Sequence, residues 1–229
     1  MKEANKSNDT LYFKIEPLSD ESNFVMCCSL EKGFETHMIE GQTTFKRTAS
    51  FRTEKNQSVL SFANSPATSS AFLGCSNGDL VEVAPLDGFS LSKHKIFSTA
   101  LISVHVAHEQ KHQIFCGSYG GEVASFDRER QEVTKHGQHE NRVIALIFLE
   151  GLVGSFGLDN QLKLWDLRQK GPVRSRFCIT PQPNSITVFK DTLYYSSFQI
   201  DEGIVHATAS ELTSEQETLP KAIAYEKRI

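Results

Sequence analysis

The sequence predicts an all-β fold. Two observations carry that expectation: apolar residues recur in short segments with strand periodicity, and one phrase returns about every 40 residues. The anchor phrase, Leu152–Arg168, reads as a strand, a tight turn at Asp159-Asn160, and a second strand in which Leu162 and Leu164 alternate with Lys163. Weaker copies occupy Ile114–Asp127 and Phe72–Val83, so the turns at Asn77, Gly120 and Asp159 lie 43 and 39 residues apart. An apolar strand precedes each copy: Ser58–Phe62, Leu101–Val106 and Val143–Phe148. No amphipathic helix longer than about ten residues stands out before the C-terminal stretch, which favours all-β over α/β.

A period near 40 with several strands per unit marks the blades of a β-propeller, in which each small sheet buries its faces on its neighbours. Two poorer units flank the three copies. Phe24–Cys28 with Gly33–Met38 makes a first, and Ser185–Phe189, Thr192–Ser197 and Gly203–Ala207 make a last. The expected architecture is about five four-stranded blades, or six if blades are trimmed. The expected domain organisation is one propeller over residues 1–209 and a polar tail or closing strand over 210–229.

Composition narrows the function. Apolar residues make up 39% and charged residues 23% of the 229, which fits neither a disordered chain nor a membrane protein. No apolar run approaches the roughly 18 residues that a membrane span needs. The polar start, Met1–Thr10, argues against a signal peptide. Five cysteines (Cys27, Cys28, Cys75, Cys116, Cys178) without a C-x-x-C pair suggest neither a disulfide framework nor a zinc ribbon, so the cytoplasm or nucleus is expected. A net charge of −4 gives no global attraction to nucleic acid. Sixteen phenylalanines against one tryptophan read as packing between blades.

The phrase Leu158–Arg168 resembles the WD-repeat family, and the match extends from His139. In that family a His before the first strand, a Ser on the second, an Asp in the turn and a Trp on the third form a buried hydrogen-bond network. The resemblance places His139, Asp159 and Trp165 in three of those positions. The Ser slot, taken as two residues before the Asp, holds Gly157, so the network is expected to be incomplete, with Ser155 too far along to serve. In the preceding unit Ser118 fits that slot, Gly120 replaces the Asp and Phe126 the Trp. Family rings commonly carry about seven blades, so a chain of this length implies a small ring, or an open one completed by a partner. The phrase and the tail past Ser185 are also similar to WD-repeat proteins of the mitotic checkpoint and the nuclear pore.

The resemblance implies a scaffold or adaptor that binds one or more proteins of a larger assembly. Family partners often touch the narrow top face, through the residue before the turn Asp and residues just before the first strand. On this chain those positions are Glu140, Arg142, Leu158, Tyr119, Ser58 and Ser76. One alternative is a factor bound to a ribonucleoprotein such as the ribosome, with contacts from the basic stretch Lys46–Arg52 or from Lys163, Arg168, Lys170, Arg174 and Arg176. Short charge runs are more often solvated faces, and Ser50 within Lys46–Arg52 also reads as a kinase site.

A second alternative is a metal-dependent hydrolase. His108-Glu109-Gln110-Lys111-His112 matches H-E-x-x-H, in which two His one helical turn apart hold zinc and the Glu polarises its water. That chemistry needs a helix, and Ile102, Val104 and Val106 alternate as in a strand, with His105 the nearest further ligand. An exposed loop is the better reading. No nucleophile elbow, phosphate loop or dinucleotide fingerprint occurs, and Gly117–Gly121 reads as a hairpin turn. No cofactor, bound metal or small-molecule substrate is expected.

Overall fold

A computed structural model of the chain describes residues 14–18, 23–30, 33–40, 44–54, 57–65, 69–106, 112–149, 151–166, 172, 174–177, 183–189, 192–197 and 204–208. They form five antiparallel sheets in chain order. The first holds β1 (Lys14–Pro17), β2 (Phe24–Ser29), β3 (Gly33–Glu40) and β4 (Thr44–Phe51). The second holds β5 (Val59–Ser65), β6 (Ser70–Cys75), β7 (Asp79–Val83) and β8 (Ser90–Lys95). The third holds β9 (Leu101–Val106), β10 (Gln113–Ser118), β11 (Glu122–Asp127) and β12 (Glu132–Gln138). The fourth holds β13 (Val143–Leu149), β14 (Leu152–Gly157), β15 (Gln161–Trp165) and β16 (Arg174–Phe177). In the fifth, β17 (Pro183–Phe189), β18 (Thr192–Ser197) and β19 (Ile204–Thr208) are described.

Within each sheet the strands pair in sequence order, and each sheet packs on the next through its inner strands: β5 against β2 and β1, β9 against β5, β13 against β9, β17 against β13. This is the arrangement of propeller blades, with the first strands innermost. It explains the burial pattern. Strands β6 and β7 are buried at every residue, because a neighbouring blade covers each face. The outermost strands β8 and β12 are largely exposed. The basic stretch Lys46–Arg52 falls mainly on the outermost strand β4, whose residues 44–48 are all exposed.

Among the described residues, three apolar clusters fill the gaps between the first four blades. Met26, Cys28, Phe34, Phe62, Leu73 and Val81 join the first and second, with the Phe34 and Phe62 rings edge-on at 5.6 Å. Phe72, Leu80, Phe97, Leu101, Cys116 and Phe126 join the second and third. Phe115, Val123, Val143, Leu146, Val153 and Trp165 join the third and fourth. Most buried phenylalanines therefore sit between blades, where a planar ring fills the space between two sheets. An ion pair reinforces the second gap: buried Glu82 on β7 takes Arg128 of the third blade at 2.9 Å.

One repeated feature was hidden in the sequence. The first strand of blades two to five carries a register shift near its start, leaving Leu60, Ile102, Ile144 and Asn184 opposite no partner. An extra residue increases local twist, which a splayed ring of sheets requires. The poorly patterned flanking units prove to be blades one and five. Residues 210–229 lie outside the described residues.

Candidate functional site

The turn between the second and third strands repeats through three blades. Gly78 N–H bonds Cys75 O, Gly121 N–H bonds Ser118 O, and Asn160 N–H bonds Gly157 O. All three turn residues have positive φ: 86° at Gly78, 91° at Gly121 and 61° at Asn160. A side chain at Gly121 would also strike the backbone, with its Cβ 2.4 Å from His139 O. That close approach clamps the turn to the connection leading into the fourth blade, where His139 N–H donates to Gly121 O.

Under this turn, His139, Asp159, Ser155 and Trp165 form one chain of hydrogen bonds. Trp165 Nε1–H donates to Ser155 Oγ at 2.7 Å, and Ser155 Oγ meets His139 Nε2 at 2.7 Å. His139 Nδ1 meets the Asp159 carboxylate at 2.9 Å. The indole is donor only, so the serine oxygen accepts from it and sends its own hydrogen to Nε2. That leaves Nδ1–H for Asp159, the neutral tautomer. Asp159 also accepts the Glu140 and Gln161 amides, tying the incoming loop to the turn.

This arrangement corrects the expectation that the network lacks its serine. Ser155, fully buried, supplies the hydroxyl. The reason is reach. The imidazole spans from the turn to one pleat deeper in β14, so its far nitrogen meets the residue four before Asp159. The position two before must be empty: a Cβ on Gly157 would lie 2.3 Å from Asp159 Oδ1 and 2.4 Å from His139 Nδ1. Ser118 is corrected likewise. It corresponds to Gly157, and its Oγ closes the turn by accepting the Glu122 amide at 2.9 Å. The third-blade counterparts of His139, Ser155 and Trp165 are Phe97, Cys116 and Phe126, which share one apolar cluster. The polar network has been replaced as a unit, which avoids leaving single buried polar groups unpaired.

The candidate binding residues occupy equivalent positions at the same end of three blades. Ser76 N–H donates to Ser58 O, Tyr119 N–H to Ala100 O, and Leu158 N–H to Arg142 O. Ser58 N–H in turn donates to Ser76 Oγ at 2.9 Å. Arg142 reaches across to the neighbouring blade and places its guanidinium 5.7 Å from the centroid of the Tyr119 ring. Tyr119 is 58% exposed, Arg142 and Glu140 are exposed, and Leu158 is partly so.

Of the zinc-peptidase pattern, His108 and Glu109 lie outside the described residues. The pattern falls between two antiparallel strands, β9 and β10, and His112 is exposed and pairs with Glu129 at 3.2 Å. Among the described residues, no three His, Cys, Asp or Glu side chains converge as a metal site would need. Arg168 and Lys170 are likewise outside the described residues, while Lys163 Nζ donates to Gln138 O at 2.8 Å. Cys27, Cys28, Cys75 and Cys116 are buried and free. Burial pushes the Cys28 and Cys75 thiols up to about 12, which keeps them protonated and unreactive.

A polar pair missed by sequence reasoning sits on the outer half of the third blade. His136 is the extra residue of a bulge in β12, opposite Val123-Ala124, and its Nε2 lies 2.9 Å from Ser125 Oγ. No spacing signals a bulge, so the pairing was not readable. Burial holds both His136 and His139 below the ordinary imidazole value, against the opposing pull of Asp159 on His139. The folded state therefore binds fewer protons than the unfolded chain below about pH 6.5. Stability is expected to be full above that pH and to fall as pH drops towards the folded-state values. Urea midpoints between pH 7.5 and 5 measure this, and His136→Asn should flatten the slope.

No protein-family model matches the chain, and no curated protein does. Solved structures do. The chain is similar to the WD40 β-propeller domain of Doa1, with a TM-score of 0.70 and 11% identity, over 87% of this chain and 66% of that one. It is also similar to the computationally designed Ika8 protein, with a TM-score of 0.63 and 15% identity, over 92% of this chain and 64% of that one. The chain thus spans just under two thirds of each. The fold it shares with the Doa1 domain is the WD40 β-propeller.

Proposed function

We propose that this chain is a non-catalytic scaffold that binds other proteins of a larger assembly through the end of the blades bearing Tyr119 and Arg142. The supporting observation is the row of equivalent turn and entry residues, Ser58 and Ser76, Tyr119, and Arg142 with Leu158, at the entry to the innermost strands. Tyrosine and arginine are the residue types that most often dominate binding energy at protein interfaces. Rigid strands hold them while the side chains stay free to engage, the usual division between framework and loop. The WD40 fold is typically non-enzymatic, and the buried, protonated thiols fit a reducing cytoplasm or nucleus.

The test is quantitative affinity capture of the tagged full chain against its Tyr119→Ala, Arg142→Glu double variant. Proteins held by the parent should be lost from the variant while its thermal midpoint is unchanged. Retention of the same set by the variant would remove this face from the reading. Washing at low and high salt addresses the ribonucleoprotein alternative. Phosphate contacts release counterions, so loss of ribosomal components at high salt would favour that alternative.

A further inference from the structure

We infer that the Tyr119–Arg142 end of the blades recognises an extended acidic peptide segment, with one Asp or Glu carboxylate seated on Arg142. The inference rests on the binding face proposed above and adds the chemistry of its occupant.

Arg142 is exposed, and among the described residues no carboxylate pairs with it. Its only described side-chain contact is the face of Tyr119, on the neighbouring blade. Of the other basic residues near this end, Lys93 and Lys95 lie 3.3 and 3.4 Å from Asp79, Lys163 donates to a backbone carbonyl, and the exposed Arg52 stands beside Ser58, two blades from Arg142. Of all these cations, Arg142 is the one held against an exposed aromatic ring, which fixes the direction of its fork. A guanidinium stacked on an aromatic ring keeps its in-plane N–H fork free, and that fork matches a carboxylate in bidentate geometry. Phosphoryl groups are usually held by clusters of arginines, so a single free fork favours the carboxylate.

The neighbours define the rest of the segment. Leu158 and the exposed Tyr119 ring offer apolar contact beside the charge, while the Ser58–Ser76 pair offers small polar contact two blades away. Packed sheets stand about 10 Å apart, so the row spans roughly 20 Å, about six residues of extended chain at roughly 3.3 Å each. The row crosses three blades in succession, and an extended chain of that length follows it from end to end.

The experiment is an array of synthetic 12-residue peptides in matched sets: Asp/Glu interspersed with Leu/Val, the same sequences with Lys for the acids, and the same with phosphoserine. The full chain is the probe. The acidic set should be retained, and Arg142→Glu should lower that retention at least about tenfold, as for a central arginine contact. Arg142→Lys, which keeps charge and loses the fork, should lower it by less. Arg130→Glu, an exposed arginine on the opposite end of the third blade, should leave it unchanged. Preference for the basic or phosphoserine set, no retention of the acidic set, or acidic retention insensitive to Arg142→Glu would each overturn the inference. The lysate capture above distinguishes the two failures. Loss of partners on Tyr119→Ala, Arg142→Glu with no acidic preference retains the face and removes the carboxylate chemistry.

Discussion

Gly157→Ser is expected to destabilise the chain by about 3 kcal/mol or more, lowering its thermal midpoint by roughly 6–12 °C. The substitution looks restorative, since motif spacing taken two residues before Asp159 would put a serine there. The structure opposes it. A Cβ at this position would stand 2.3 Å from Asp159 Oδ1 and 2.4 Å from His139 Nδ1, inside the hydrogen bond that joins them. Both groups are tightly enclosed, so neither can retreat without losing its partner. Equilibrium urea unfolding of parent and variant decides the matter, and a variant as stable as the parent would contradict the placement of His139 over Gly157.

Ser155→Ala is the second large effect, expected at about 2–4 kcal/mol. The serine oxygen accepts from Trp165 and the hydroxyl serves His139, both without access to water. Removing it strands a buried indole N–H and a buried imidazole nitrogen together. Trp165→Phe relieves one of those stranded groups while keeping an aromatic ring in the gap between blades. The double variant should therefore cost about 1–2 kcal/mol less than the sum of the single ones. Additive losses would mean that Ser155 and Trp165 do not share a bond.

The two effects separate what family spacing conveys from what geometry requires. The spacing located His139, Asp159 and Trp165, because each occupies a fixed place relative to the turn. It missed Ser155, because the choice between two residues on the same strand face depends on how far an imidazole ring reaches. In the third blade the same logic explains why Ser118 is no counterpart. With Phe97, Cys116 and Phe126 filling the space below, its hydroxyl turns to the Glu122 amide instead.

The contact between Tyr119 and Arg142 belongs to the same class. Each residue was marked as a candidate from its own position relative to a turn, 23 residues apart in sequence. Their stacking depends on the distance between the third and fourth blades, which no local pattern encodes. The same is true of Glu82 and Arg128, which pair across the second gap.

By itself the sequence determined the all-β class, the period near 40, the three central blades and the placement of His112 between two strands. These follow from alternation of apolar side chains and from turn residues at fixed offsets, both properties of a few consecutive residues. Tertiary structure alone decided the identity of the network serine, the emptiness required at Gly157, the bulge that aims His136 at Ser125, and the union of Tyr119 with Arg142. Each of these depends on the separation and twist between strands or blades, and side chains meet across those gaps at distances that chain spacing does not record.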